Sequence, residues 1–198
     1  NLIGKVFRLE SRFERFRPDL SANSWRENWS REDGGGDLLD LQPHLLSTAI
    51  DWFGPAELVN ASVRSIRGGS DDDVVLTLKH KSGVDSYLSA SGIIGAPGPR
   101  LRISGSGGAL VINDLDPQEK MLRSGQKPTI EGWPKGARSS AMIFSRENPR
   151  EIQCESGNYV SFYKQVKEGL KTGVMPVSHD LILQVATIID QAKEISIR

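Results

Sequence analysis

The stretch from Asp33 to Gly54, DGGGDLLDLQPHLLSTAIDWFG, sets the reading of the whole chain. Three glycines, Gly34, Gly35 and Gly36, lead into an apolar-periodic run with the signature of a helix. Pro43 can open the helix of residues 43–53, because a missing N–H costs nothing in a first turn, and Gly54-Pro55 stops the pattern. Asp40 and His44 stand four positions apart, which on a helix places one above the other. A carboxylate beside an imidazole is a workable proton relay, since it fixes the ring tautomer and raises its basicity. The same spacing also fits an Asp that caps the helix and an ordinary first-turn His.

Working outward, residues 5–13 alternate, with Phe7, Leu9 and Phe13 on one face and Arg8, Glu10 and Arg12 on the other, as in a half-buried strand. Residues 57–67, 73–80, 85–94, 100–105 and 109–113 read as further strands, separated by turn compositions such as GGSDD and KSG. Strands joined by tight turns pair antiparallel, which predicts a meander beside one long first strand. Residues 114–136 form an excursion with a helical turn from Pro117 to Arg123, and strand hints follow at 140–144 and 150–154. Tyr159, Phe162, Val166 and Leu170 then repeat at helical spacing, and Ser178 caps a last helix through Lys193. The expected fold is α+β, an open and mainly antiparallel sheet with helices on one face, in one domain over residues 1–198. Ser89, Ala90, Ser91 and Gly92, with Ala61 and Ser62, are small. They read either as a solvated face or as a flat face for packing on a second copy, a homo-oligomer through the open sheet.

The loop from Arg17 to Asp33 holds Trp25, Arg26 and Trp29. It either packs its aromatics on the sheet edge or closes over a substrate, with Arg26 donating to hydroxyls or a carboxylate. The 25 basic and 25 acidic residues cancel, which argues against nucleic acid or an anionic membrane as partner, and the short run Arg12, Arg15, Arg17 does not reverse that. No apolar segment has the length of a membrane span. The single cysteine, Cys154, excludes an intrachain disulfide and fits a reducing, cytoplasmic location. His44, His80 and His179 show no metal-ligand spacing, so no metal site is expected.

The block Gly34-Gly35-Gly36, Leu38, Asp40, His44 and Gly54 resembles the second-domain signature of the glucose–fructose oxidoreductase/inositol dehydrogenase family (Gfo/Idh/MocA). RFERFRPDL…WRENW is similar to its inositol and polyol subgroup, and the Pro176-Val177-Ser178 segment resembles the family's entry to its last long helix, so the resemblance covers essentially the whole chain. Two positions depart from it: Gln42 replaces the motif glycine, and Ser47 stands where a second aspartate is usual. The resemblance implies a glyceraldehyde-3-phosphate dehydrogenase-like C-terminal domain acting with NAD or NADP on a sugar or polyol. It makes His44 the general acid/base, Asp40 its partner and a substrate ligand, and Trp25 and Arg26 substrate contacts. It also places Gly35, Gly36 and Gln42 near the cofactor. The family's Rossmann domain and its Glu-Lys-Pro lysine are not found in this sequence, which contains no G-x-G-x-x-G opening a helix. The start at Asn1 therefore reads as a cut between domains, and the chain alone is expected to be inactive. The alternative is a non-catalytic ligand-binding or regulatory module on the same fold, which Gln42 and Ser47 would suit. Relatives that cleave glycosides or pass hydride between sugars are a further variant.

Overall fold

The computed structural model describes residues 2–114, 117–129, 133 and 138–196. An eight-stranded sheet runs in the order β2-β3-β4-β1-β5-β6-β7-β8. The strands are β1 (Val6–Glu14), β2 (Ala56–Arg64), β3 (Asp73–His80), β4 (Asp85–Ser91), β5 (Leu101–Gly105), β6 (Gly108–Ile112), β7 (Arg138–Phe144) and β8 (Arg150–Ser156). The expected open, mainly antiparallel sheet is present, with one difference. The meander is split in two, and β1 lies between the halves, parallel to β4 and antiparallel to β5.

Among the described residues the sheet is accompanied by α1 (Trp25–Asn28), α2 (Asp37–Asp40), α3 (Gln42–Phe53), α4 (Pro117–Arg123), α5 (Tyr159–Thr172) and α6 (His179–Ser196). Within the excursion predicted over 114–136, α4 is where the sequence puts it, and positions 115–116, 130–132 and 134–136 lie outside the described residues. The helices α3 and α6 pack on the same side of the sheet, burying Leu45, Leu46, Ala49 and Ile50 from one and Ile188, Ile189 and Ala192 from the other. Against them stand Leu9, Leu76, Leu78, Leu88 and Leu101. Each such leucine contributes about 1.5–3 kcal/mol of burial, so this layer dominates the fold's stability.

Strand alternation sorts the small residues differently from their reading as one face. Ala90 and Ala61 pair across β3 with Val74 and Leu76 on the core side, and Ser91 is buried. Ser89, Ser62 and Tyr87 take the open side, beside a charged ladder in which Glu10 pairs with Arg12 and Arg102. Consecutive strand residues cannot share a face, because the side-chain period is two.

The apolar stripe of α5 is also placed differently from a core face. Asn158 caps this helix by accepting from the Ser161 N–H at 2.9 Å. Yet Phe162, Tyr163 and Leu170 stay exposed, as do Val174 and Leu183 beyond it. Among the described residues no helix is long and apolar enough to cross a membrane.

Candidate active site

The glycine run is fastened to the sheet by one aspartate. Asp71, in the β2–β3 turn, accepts from the Leu38 N–H at 2.8 Å through its carboxylate, and its carbonyl accepts from the Asp37 N–H at 2.9 Å. The first turn of α2 is thereby capped from 33 residues away in sequence. Gly36 sits at φ 98° with that carboxylate in the space a Cβ would fill, so only glycine fits. The Trp29 carbonyl and the Ser70 hydroxyl occupy the corresponding space at Gly35. The Gly36 N–H donates to the Arg26 carbonyl at 2.8 Å, which holds the α1 loop against the glycines.

Between this loop, α2 and the end of β4 lies a cleft of about 390 Å³. Arg26 lies over the Trp25 ring, 4.4 Å from its centroid, and its Nε meets the Asp40 carboxylate at 2.9 Å. Arg67, also in the wall, is itself buried. It donates from Nε to Asp72 at 2.8 Å and from Nη1 to the Arg17 carbonyl at 2.9 Å and Glu27 at 3.2 Å. One guanidinium thus clamps the β2–β3 turn, the segment that follows β1 and the α1 loop together.

Asp37 is the outlier of the cleft. Its Oδ2 is buried with no hydrogen-bond partner among the described residues. Burial, together with the negative charges of Asp71, Asp40 and Asp72, pushes its carboxyl up to about 7 against an opposing pull from Arg67. The unfolded chain releases this proton near pH 4, while the folded chain keeps it until about pH 7. Stability from this group is therefore full below about pH 4 and falls as pH rises to about 7. Asp37→Asn should remove that fall, raising stability by about 1–3 kcal/mol at about pH 8 and little at about pH 4. Melting temperatures across that range check this, and parallel profiles for the two proteins would contradict it.

The residues singled out in the sequence are only partly brought together. Asp40, Arg26 and Trp25 form one cluster, of which Asp40 and Arg26 line the cleft. His44 does not join Asp40. The helical run is broken at Leu41: Pro43 has no N–H to continue the ladder, and the His44 N–H bonds to the Leu41 carbonyl at 3.2 Å instead of reaching Asp40. The imidazole is exposed, 6.4 Å from the Phe13 ring between centroids, and makes no hydrogen bond among the described residues. Gln42 is fully buried, donating to the Val74 and Leu88 carbonyls at 3.1 and 3.3 Å, so its side chain ties the head of α3 to the sheet. Gly35 and Gly36 are likewise buried, against the α1 loop and Asp71. Ser47 donates to the His44 carbonyl at 3.2 Å.

Residues 1–111 match the C-terminal domain of GFO/IDH/MocA proteins. The chain belongs to the GFO/IDH/MocA family. It is 29% identical over 194 residues to scyllo-inositol 2-dehydrogenase (NADP(+)) IolW of Bacillus subtilis (strain 168), covering 93% of this chain and 52% of that protein. It is 30% identical over 200 residues to the uncharacterized oxidoreductase YdgJ of Escherichia coli (strain K12), covering 96% and 55%. The chain thus spans about half the length of these relatives. Among solved structures, yvaA from Bacillus subtilis superposes with a TM-score of 0.78 at 27% identity, over 98% of this chain and 57% of that one. An oxidoreductase from Bacillus cereus gives 0.75 at 21%, over 96% and 57%, a likeness of fold.

Within the GFO/IDH/MocA chain, the described residues do not form a cradle for a dinucleotide's phosphates. The Leu38 N–H at the head of α2 is taken by Asp71, and the spaces beside Gly35 and Gly36 are filled. The other glycine-rich turn, at Gly105 to Gly108, joins β5 to β6 and opens no helix. Asp37, Arg67, Asp71 and Asp72 escaped the sequence reading. The aspartates lay in compositions that read as a turn or as an unassigned motif position, and the contacts of Asp71 with Leu38 and of Arg67 with Glu27 and Arg17 join residues 33 to 50 positions apart.

Proposed function

We propose that this chain is the substrate-binding half of an NAD- or NADP-dependent oxidoreductase acting on a secondary alcohol of a sugar or an inositol-like polyol. Family membership supports the oxidoreductase reading, and the scyllo-inositol dehydrogenase among its relatives supports the polyol. The observation that carries it is the cleft wall of Arg26, Asp40 and Asp37 at the head of the helix bearing His44. A nicotinamide, when bound, would supply the hydride chemistry. The chain's own residues do the rest. The paired Arg26 and Asp40 offer donors and acceptors in a fixed geometry to neighbouring hydroxyls. The exposed His44 imidazole, with both ring nitrogens unengaged among the described residues, accepts the proton of the reacting hydroxyl. The full-length protein incubated with NAD or NADP and a panel of inositols and sugars should form reduced nicotinamide with at least one cyclic polyol. No reduction with any of them would contradict the reading.

One observation favours a second reading, a ligand-binding module without turnover. Asp40 is neutralised by Arg26 and is not bonded to His44. On that reading polyols bind and no nicotinamide is reduced.

The assembly proposed is a cytoplasmic homo-oligomer of a longer protein, joined through the open sheet face where Tyr87 is exposed. Sedimentation at micromolar concentration should show at least a dimer, and Tyr87→Arg should shift it toward monomer. A monomeric wild type would leave that face to solvent.

A further inference from the structure

The cations of the cleft divide into two groups. Arg26, Arg67 and Arg123 are each paired with a carboxylate: Asp40, then Asp72 and Glu27, then Glu119. Arg15 and Arg17 line the same cleft and form no ion pair among the described residues. They stand two apart on extended backbone, so both side chains leave the chain on one side while Phe16 leaves on the other. That backbone is rigidly placed. The Arg15 and Arg17 N–H groups donate to the Ser91 and Gly92 carbonyls, both at 2.8 Å, and the Arg17 carbonyl is held by Arg67.

A third guanidinium deepens the excess of positive charge. Arg15 and Arg100 both lie over the Phe13 ring, at 4.8 and 4.2 Å from its centroid. Burial and the charge of Arg15 push the Arg100 guanidinium below its ordinary range. Phe13 is also the ring beside His44, so this charge lies next to the candidate proton acceptor. Arg15 and Arg17, on pinned backbone and without a counter-charge among the described residues, in a cleft whose other lining arginines all have one, are a receptor for an oxyanion.

We infer that the substrate of this cleft is an acidic polyol or sugar, whose carboxylate or phosphate is held by Arg15 and Arg17 while its hydroxyls meet Arg26, Asp40 and Asp37. This rests on the oxidoreductase reading above and narrows its substrate class.

Calorimetry on the NADP-loaded full-length protein tests it with glucuronate, glucose 6-phosphate and glucose as probes. At least one acid should bind about tenfold or more tightly than glucose, and which one does separates carboxylate from phosphate. In the Arg15→Gln/Arg17→Gln double variant that acid should fall to the level of glucose. The Arg15→Lys/Arg17→Lys variant, which keeps the charge, should retain part of the preference, separating lost recognition from lost folding. Equal binding of acid and neutral sugar, no binding of either acid, or an unchanged preference in the Gln variant would overturn the inference. So would a loss confined to NADP affinity, which would assign the arginines to the cofactor. Acids that bind tightly with no nicotinamide reduced by any substrate would sink the oxidoreductase reading and leave the anion site standing. Turnover of neutral polyols without an acid preference would do the reverse.

Discussion

His44→Ala in the full-length protein is expected to lower kcat by about 10²–10⁴-fold, the usual loss when a general base is removed. The KM for the nicotinamide should stay within about twofold, since His44 has no part in holding phosphates. Asp40→Asn should behave differently, because the structure joins Asp40 to Arg26 and not to the imidazole. The amide keeps a hydrogen bond to Arg26 but loses the charge, so the expected effect is a raised substrate KM with a smaller fall in kcat. Steady-state kinetics of both variants on one substrate separate the roles. Equal losses in kcat for the two would restore the Asp40–His44 relay that the i, i+4 spacing first suggested. A His44→Ala protein with near-normal kcat would remove His44 from the chemistry.

Arg67→Ala is expected to destabilise the protein by about 3–5 kcal/mol, the range for breaking a buried ion pair by removing one partner. Asp72, whose side chain is only 3% exposed, would keep two backbone N–H donors, from Ile66 and Arg67, and lose its counter-charge. Burial works against the charge of Arg67, yet its bonds to Asp72 and Glu27 outweigh that and raise its pKa, so the group is fully charged where it stands. Arg67→Lys should recover only part of the loss, because a single ammonium cannot reach Asp72, Glu27 and the Arg17 carbonyl with the geometry of a planar fork. Denaturant midpoints measure the effect. A shift equivalent to less than about 1 kcal/mol would place Arg67 among ordinary surface residues.

The features legible in the sequence were those with a local cause. Strand alternation located β1 and the strands of the meander, Gly54 ended α3 with a left-handed-type φ of 79°, and Ser178 capped α6. Pro43 announced a helix start, and the structure adds that it also breaks the run that would have stacked Asp40 on His44. The features that were not legible depend on distant partners. Nothing local tells β1 to enter between β4 and β5, because parallel pairing of Leu9 with Ser86 is decided by a contact 77 positions apart. Gln42, as a departure from a glycine-bearing motif, looked like a change in a ligand site. Its side chain instead spans two strand carbonyls in the core. Asp37 looked like a variable motif position, and only its burial, with Asp71, Asp40 and Asp72 brought around it by the fold, makes it a neutral-range acid. The α5 stripe was correctly periodic, but periodicity does not say which surface will cover it.

The most direct test follows a hydrogen atom. The full-length protein is given NADP or NAD and an inositol or sugar carrying deuterium on its carbinol carbons, and the recovered nicotinamide is analysed by mass spectrometry. The expected result is deuterium on the reduced nicotinamide ring, formed by the wild type and strongly diminished in His44→Ala. Recovery of unlabelled, oxidised nicotinamide alongside demonstrable polyol binding would contradict it and make this cleft a binding site without hydride transfer.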